Sequence, residues 1–281
     1  MPTVRATLAA CAERLRVVTD TPELEASLLA CHAWGMTRTQ LFLAADSLTD
    51  PAPLEPLVLR RLAAEPIAYI LGNWEFFSIE LDIEPPLLVP RPETEHLVEV
   101  ALAHIGGGPA RVLDLCTGTG CVALAIALNA NVAALHATDC HPAAVRVARA
   151  NAARHNVPLH VHAGDLFAPI PADAGPFDVI VSNPPYVPEG AWEGLAPDIR
   201  CHEDPGALLA GPDGLDCIRR IIQEAPDWLA PGGLLALEMG EEQGAAVCAL
   251  FAVAGYEDIK ITKDLAGHDR IASGRKLQRK G

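Results

Sequence analysis

The sequence predicts an α/β protein: a doubly wound, mostly parallel sheet, preceded by a small all-helical N-terminal domain and a connecting β-hairpin. Three observations carry this prediction. Residues 1–72 show helical patterns only, a short stretch after them alternates with period two, and from Arg111 onward apolar strand-like runs alternate with helical ones. Alternating strand and helix units bury their apolar faces as a parallel sheet covered by helices. The boundaries read as 1–72 for the helical domain, 73–90 for the hairpin and 91–281 for the α/β domain.

Each element has a local reason. "TPELEASLLACHAWG" starts with Thr21 as N-cap and Pro22 at the first helical position, presents Leu24, Leu28, Leu29 and Cys31 on one face, and ends at Gly35. "LEPLVLRRLAAEP" is a further helix, stopped before Pro66, since the residue ahead of a proline is pushed out of the helical region. "WEFFSIELDIEPPLLVP" alternates as a strand pair and runs into prolines. "RPETEHLVEVALAHIGGGP" is a helix with proline at its start, acids in its first turn and glycines at its end. Then come the strand "RVLDL", the helix "CVALAIALNA", the strand "VAALHATD", the helix "HPAAVRVARANAARHN" and the strands "LHVHAGD" and "PFDVIVSN". The helix "GLDCIRRIIQEAPDWL", the strand "GGLLALEMG" and the helix "GAAVCALFAVAG" follow. "YEDIKITKDLAGHDRIASGR" reads as a closing hairpin, and "GRKLQRKG" as a solvated basic end.

Composition narrows the function. Half of the 281 residues are hydrophobic, enough for a large domain plus a small one. No run of about 18 apolar residues occurs. The first residues, with Arg5, Glu13, Arg14 and Arg16, lack the apolar block of a signal peptide. A cytoplasmic, monomeric protein with no membrane partner is expected. The eight cysteines are scattered without a C-x-x-C pair, which suits reduced thiols and speaks against zinc. His160 and His162 share a strand face, where partly exposed positions are a simpler account than a metal. With 36 acidic against 21 basic residues, the net charge of −15 argues against DNA, whose binders show a basic face.

The chemistry lies at strand ends. "DLCTGTGCVALA" puts Gly118 and Gly120 after the first strand, where they allow a tight turn and close ligand approach ahead of a helix. Gly118-x-Gly120-x-x-Ala123 also fits the dinucleotide fingerprint, and Asp139 lies near the ~20-residue offset of an acid that binds ribose hydroxyls. A nucleoside-type ligand follows, with NAD and S-adenosylmethionine both open. Asp165 and the run Asn183-Pro184-Pro185-Tyr186 end two more strands and belong on the same rim. Asn183 offers a carbonyl, Pro184 has a carbonyl and no N–H, and two acceptors side by side suit a planar –NH2 group on which Tyr186 could stack. Pro185 stiffens the frame. Acceptors of this kind point to methylation of an amide or exocyclic amine and have no evident use in hydride transfer.

With these motifs in order, the chain resembles the HemK-type peptide chain release factor N5-glutamine methyltransferases, the PrmC family. The resemblance spans the helical domain, "EPIAYILGNWEF", "LVPRPETE", "DLCTGTG", "NPPY" and "AGPDGLDCIRRI". It implies a class I methyltransferase fold, S-adenosylmethionine as donor and S-adenosylhomocysteine as product, with no metal. The acceptor it implies is the glutamine amide of the Gly-Gly-Gln motif in bacterial class I release factors. Carried over by motif, Cys116, Thr117, Gly118, Thr119 and Gly120 would wrap the methionine part of the donor, and Asp139 would bind its ribose. Leu166, just after Asp165, would lie beside the adenine. Asn183 and Pro184 would hold the glutamine amide and Tyr186 would pack on it, while Arg91, Pro92, Thr94 and Glu95 match the "RPxTE" segment near the active site. Cys116 stands where many relatives have glycine, which is tolerated if its φ stays below zero. Asp204 intervenes between Glu203 and Pro205, so no role is carried onto Glu203. Competing readings are a ribosomal protein glutamine methyltransferase, a DNA adenine-N6 methyltransferase, a nicotinamide dehydrogenase and a non-catalytic binding module.

Overall fold

The computed structural model describes residues 1–278. The chain forms two compact units, Met1–Asn73 with Leu195–Glu203, and Trp74–Gly194 with Asp204–Gly281. The first is helical: α1 (Val4–Leu15), α2 (Pro22–Trp34), α3 (Arg38–Leu43), α4 (Glu55–Leu62) and α5 (Ile67–Leu71). Leu15, Leu29, Leu41 and Val58 lie in its core.

Helix α2 departs from its expected face. Leu24 is 42% exposed, whereas Glu25 is buried. Its carboxylate takes the buried Arg61 guanidinium at 2.7 Å, so this face of the helix carries a buried ion pair. Thr21 makes no side-chain cap, and its own N–H goes to Thr19 Oγ1 at 3.2 Å. Gly35 ends the helix at φ +63°, as a left-handed cap should.

The second unit runs β1 (Asn73–Phe76), β2 (Ile79–Asp82), a 3₁₀ turn (Pro92–Thr94), α6 (Glu95–Ile105), β3 (Ala110–Leu115), α7 (Cys121–Asn129), β4 (Val132–Asp139), α8 (Pro142–Arg154), β5 (His160–Ala163) and β6 (Phe177–Ser182). After α9 (Pro197–His202), which groups with the helical unit, come α10 (Asp216–Trp228), β7 (Leu229–Glu238), α11 (Gly244–Val253), β8 (Tyr256–Lys263) and β9 (Asp269–Lys276). Seven strands form one sheet in the order β5-β4-β3-β6-β7-β9-β8. The first five are parallel, and β9 runs antiparallel to both β7 and β8. This is the expected doubly wound fold, with the closing hairpin inserted so that its second strand pairs with β7. Of the expected solvated basic end, Gly274–Lys276 form the last part of β9, Arg275, Leu277 and Gln278 are exposed, and residues 279–281 lie outside the described residues.

Side chains alternate across the sheet and fill two cores. Val112, Val179 and Val181 pack with α6 and α7, while Leu113, Leu115 and Ile180 pack with α10 and α11. The β1–β2 hairpin adds Phe76, Ile79 and Leu81 to the first core. Its turn residues Phe77 and Ser78 have φ +49° and +61°. Glu95 Oε1 accepts the Phe77 N–H at 2.8 Å and so ties the turn to the start of α6. On the sheet's β5 side, His160 is exposed and lies opposite the buried His136, which meets His162 at 3.0 Å between Nδ1 and Nε2. Burial and the flanking His160 and His162 push His136 down to about 4.

Candidate active site

Strand β3 pairs with β4 on one side and β6 on the other, so the chain winds away from it in both directions. A crevice therefore opens beyond the carboxyl ends of these strands. It is a cavity of about 350 Å³, in the range of small-ligand clefts, and its whole wall comes from the sheet-bearing unit.

The loop after β3 forms one side. Cys116, Thr117, Gly118 and Thr119 reach the wall. Gly118 has φ +56°, and a Cβ built there meets no atom within 4 Å, so only glycine leaves this face of the loop open. Cys116 also sits at φ +56°, so the condition set for a cysteine here, a negative angle, is not met. The loop reverses immediately after the buried end of β3, and the Cys116 side chain, like that of Cys217, packs against the second core. Contact with Cys217 and burial push the Cys116 thiol well up. Gly120 lies off the wall: it begins α7 at φ +83°, with its would-be Cβ 3.3 Å from Ala148 Cβ. Below the loop, Asp114 accepts from Thr117 Oγ1 at 2.6 Å and from the Ala123 N–H at 3.3 Å. Burial raises its carboxyl to about 7. The buried Asn151 of α8 donates to the Thr119 carbonyl at 2.9 Å and to the Asp82 carbonyl at 3.0 Å, fastening loop and hairpin together.

Asp139 ends β4 on the cavity wall. Its two oxygens accept the Gly118 and His141 N–H groups, each at 2.8 Å. Burial pushes its carboxyl up, and these two N–H groups oppose that. A carboxylate has about four acceptor sites, so lone pairs remain for hydroxyl groups of a ligand. Asp165 and Leu166 complete this side. Asp165 also pairs with Arg220 of α10 at 2.7 Å, and Leu166 is buried at φ +46°.

At the end of β6, Asn183 and Pro185 line the cavity. Pro184 and Tyr186 lie off its wall. The Asn183 Nδ2 donates to Thr94 Oγ1 at 3.2 Å, and Thr94 is itself on the wall. The Tyr186 ring packs against the second core, and its hydroxyl donates to Glu238 Oε1 at 3.1 Å. Backbone contacts hold the loop further. Val187 N–H reaches the Leu208 carbonyl at 2.8 Å, and Gln243 Nε2 donates to the Tyr186 carbonyl at 2.9 Å. Gly214, with φ +74°, passes so close that a Cβ there would fall on the Tyr186 carbonyl oxygen. "AGPDGLDCIRRI" thus acts as a strap behind "NPPY". Arg91, Pro92 and Glu95 stand off the cavity wall, Glu95 being committed to the hairpin turn.

The sequence and the fold both match known proteins. Residues 6–72 match the PrmC N-terminal domain and residues 94–196 the Methyltransferase small domain. A release factor glutamine methyltransferase of Vibrio cholerae is 41% identical over 97% of this chain and 96% of its own length. One of Bordetella pertussis is 43% identical, covering 90% of this chain and 94% of its own. The chain belongs to the release factor glutamine methyltransferase family. A solved methyltransferase from Pyrococcus furiosus shares the fold, with TM-score 0.53 and 23% identity over 79% of this chain and 98% of that one.

For a member of this family, the cavity suits a donor built from a nucleoside and an amino acid. It joins an open glycine loop, a carboxylate with spare acceptor sites, and apolar surface from Leu87, Val122 and Leu166. Sequence reasoning missed Asp114, Gly214, Glu238 and Gln243, and also Asp204, which lines the cavity. Two of these had a signal: Asp114 and Glu238 are acids inside otherwise apolar strands, where a buried charge calls for a partner.

Proposed function

We propose that this enzyme transfers a methyl group from S-adenosylmethionine to the side-chain amide nitrogen of the glutamine in the Gly-Gly-Gln motif of bacterial class I release factors. The observation that carries the proposal is Asn183: its carboxamide lies on the wall of the cavity shared by the glycine loop and Asp139, anchored through Nδ2 to Thr94. Anchoring by Nδ2 leaves Oδ1 as an acceptor. In this reading Oδ1 and the Pro184 carbonyl accept the two amide hydrogens of the glutamine, and Pro185 keeps both acceptors in place at little cost in reorganisation. Bound S-adenosylmethionine supplies an electrophilic methyl. The amide nitrogen is a poor nucleophile, and acceptors on its hydrogens enrich its electron density and aim its lone pair for a direct in-line displacement. The chain's work is mainly positioning. The proton leaves the nitrogen to water once it is methylated.

Asp139 takes the ribose hydroxyls, Gly118 and its neighbours the methionine part, and Leu166 the adenine. The helical domain holds the release factor. The setting is the cytoplasm and the working form a monomer. Among the described residues no helix is long and apolar enough to cross a membrane. The decisive experiment mixes the protein with tritiated S-adenosylmethionine, a release factor and its Gly-Gly-Ala variant. Label on the wild-type factor alone is expected. Equal label on both would remove the glutamine assignment, and label on DNA or a ribosomal protein would replace it.

A further inference from the structure

The loop after β3 turns on two glycines. Gly118 and Gly120 sit at φ +56° and +83° on either side of Thr119. Glycine moves between left-handed and right-handed backbone at little cost, so the peptide planes around Thr119 need an outside restraint to keep one orientation. The Gly118 N–H goes to Asp139 Oδ2 at 2.8 Å, and the Gly120 N–H goes to the Thr117 carbonyl at 2.9 Å. The Thr119 carbonyl shares a peptide plane with the Gly120 N–H, and Asn151 Nδ2 donates to it at 2.9 Å.

Asn151 is 0% exposed, and backbone groups decide which way its carboxamide faces. Oδ1 accepts the Asp82 N–H at 2.7 Å, and an N–H can only donate. Nδ2 therefore faces the Asp82 carbonyl at 3.0 Å and the Thr119 carbonyl, and both amide hydrogens are used. Asp82 is a firm post. It closes β2, whose Ile79 and Leu81 lie in the first core with Phe76 of β1. The far end of the hairpin is held as well, by Glu95 Oε1 on the Phe77 N–H.

We propose that Asn151 is a positioning residue for the methyl donor: it ties the Thr119 carbonyl to the β1–β2 hairpin and so holds the glycine loop in the shape that receives the donor. The inference rests on S-adenosylmethionine as the ligand of this cavity and adds a residue that lies off the cavity wall and outside the motifs. Asn151→Asp keeps the size and the acceptor for Asp82, but turns an oxygen toward two carbonyl oxygens. It should weaken S-adenosylmethionine binding by calorimetry roughly 10- to 100-fold, the range for leaving one or two buried carbonyls unpaired. Turnover at saturating donor should stay near wild type, since the loop is restored once the donor is bound.

Hydrogen exchange supplies a readout without the donor: protection of residues 116–120 should fall in the ligand-free variant. Ala152→Gly is the control. It weakens the same helix and leaves all three Asn151 bonds in place, so it should lower the melting temperature and keep donor affinity. If Asn151→Asp does not fold, Asn151→Ser, which adds no charge, takes its place with the same expected losses. Unchanged donor affinity or unchanged loop protection overturns the proposal, and so does an equal loss of donor affinity in Ala152→Gly. If the wild-type protein binds no S-adenosylmethionine, the donor reading falls and the positioning role with it, while lost loop protection would still show the clamp.

Discussion

Gly214 and Gly118 offer a controlled comparison of what a glycine does near the site. Both hold left-handed backbone, at φ +74° and +56°. Alanine at either therefore meets the same left-handed penalty of about 1–2 kcal/mol. The surroundings differ. At Gly118 a Cβ meets nothing within 4 Å. At Gly214 it falls on the Tyr186 carbonyl oxygen and lies 2.9 Å from the carbonyl carbon and 2.8 Å from Gln243 Nε2. These separations are well inside the ~3.5 Å of ordinary nonbonded contact. The obstructing group is backbone, so no side-chain rotation relieves it, and overpacking adds about 1–3 kcal/mol. Gly214→Ala should then lose roughly 2–5 kcal/mol against about 1–2 kcal/mol for Gly118→Ala. Urea denaturation followed by tryptophan fluorescence measures both. Calorimetry with S-adenosylmethionine should reverse the ranking, Gly118→Ala losing more donor affinity, since its methyl enters the cavity side of the loop. Equal stability losses in the two variants would refute the claim that close approach to Tyr186 fixes the "NPPY" loop.

Asp114 makes a prediction about pH. Its folded value, about 7, lies above its ordinary value of 3.8 because it is buried. The native state therefore holds the proton more tightly, and stability falls as pH rises from about 4 to about 7, by at most ~4 kcal/mol from this group. Asp114→Asn, which keeps an acceptor for Thr117 and Ala123, should flatten that decline in denaturation series at pH 4.5 and 7.5, and an unchanged slope would contradict it. In the helical unit, Arg61→Ala strands Glu25 as a buried charge and should cost about 3–5 kcal/mol, whereas replacing both partners by apolar residues should cost far less. Parallel melting curves settle this, and equal losses would speak against it. Asn183→Ala should reduce turnover by orders of magnitude and spare donor affinity more than Asp139→Ala does. Matching losses of donor binding would undo that division of roles.

The sequence by itself determined the winding of the sheet and the rim of the site. Buried parallel strands leave long apolar runs, and their polar ends, "CTGTG", Asp139, Asp165 and "NPPY", are adjacent in space because parallel strands present their carboxyl ends on one side. Period and punctuation alone carry that much. The buried face of α2 was not legible, because it carries the Glu25–Arg61 pair, which joins residues far apart in the chain. Nor was the left-handed Cys116, which follows the buried end of β3 and whose side chain packs against the second core. The support of Asn183 was least visible of all. Thr94, Asn183, Tyr186 and Glu238 come from three separate stretches, and only the placement of β6 beside β7 and next to the turn before α6 brings their hydroxyls, amide and carboxylate within reach. Local sequence sets which groups are available, and the bonds they form depend on the partner that the fold supplies.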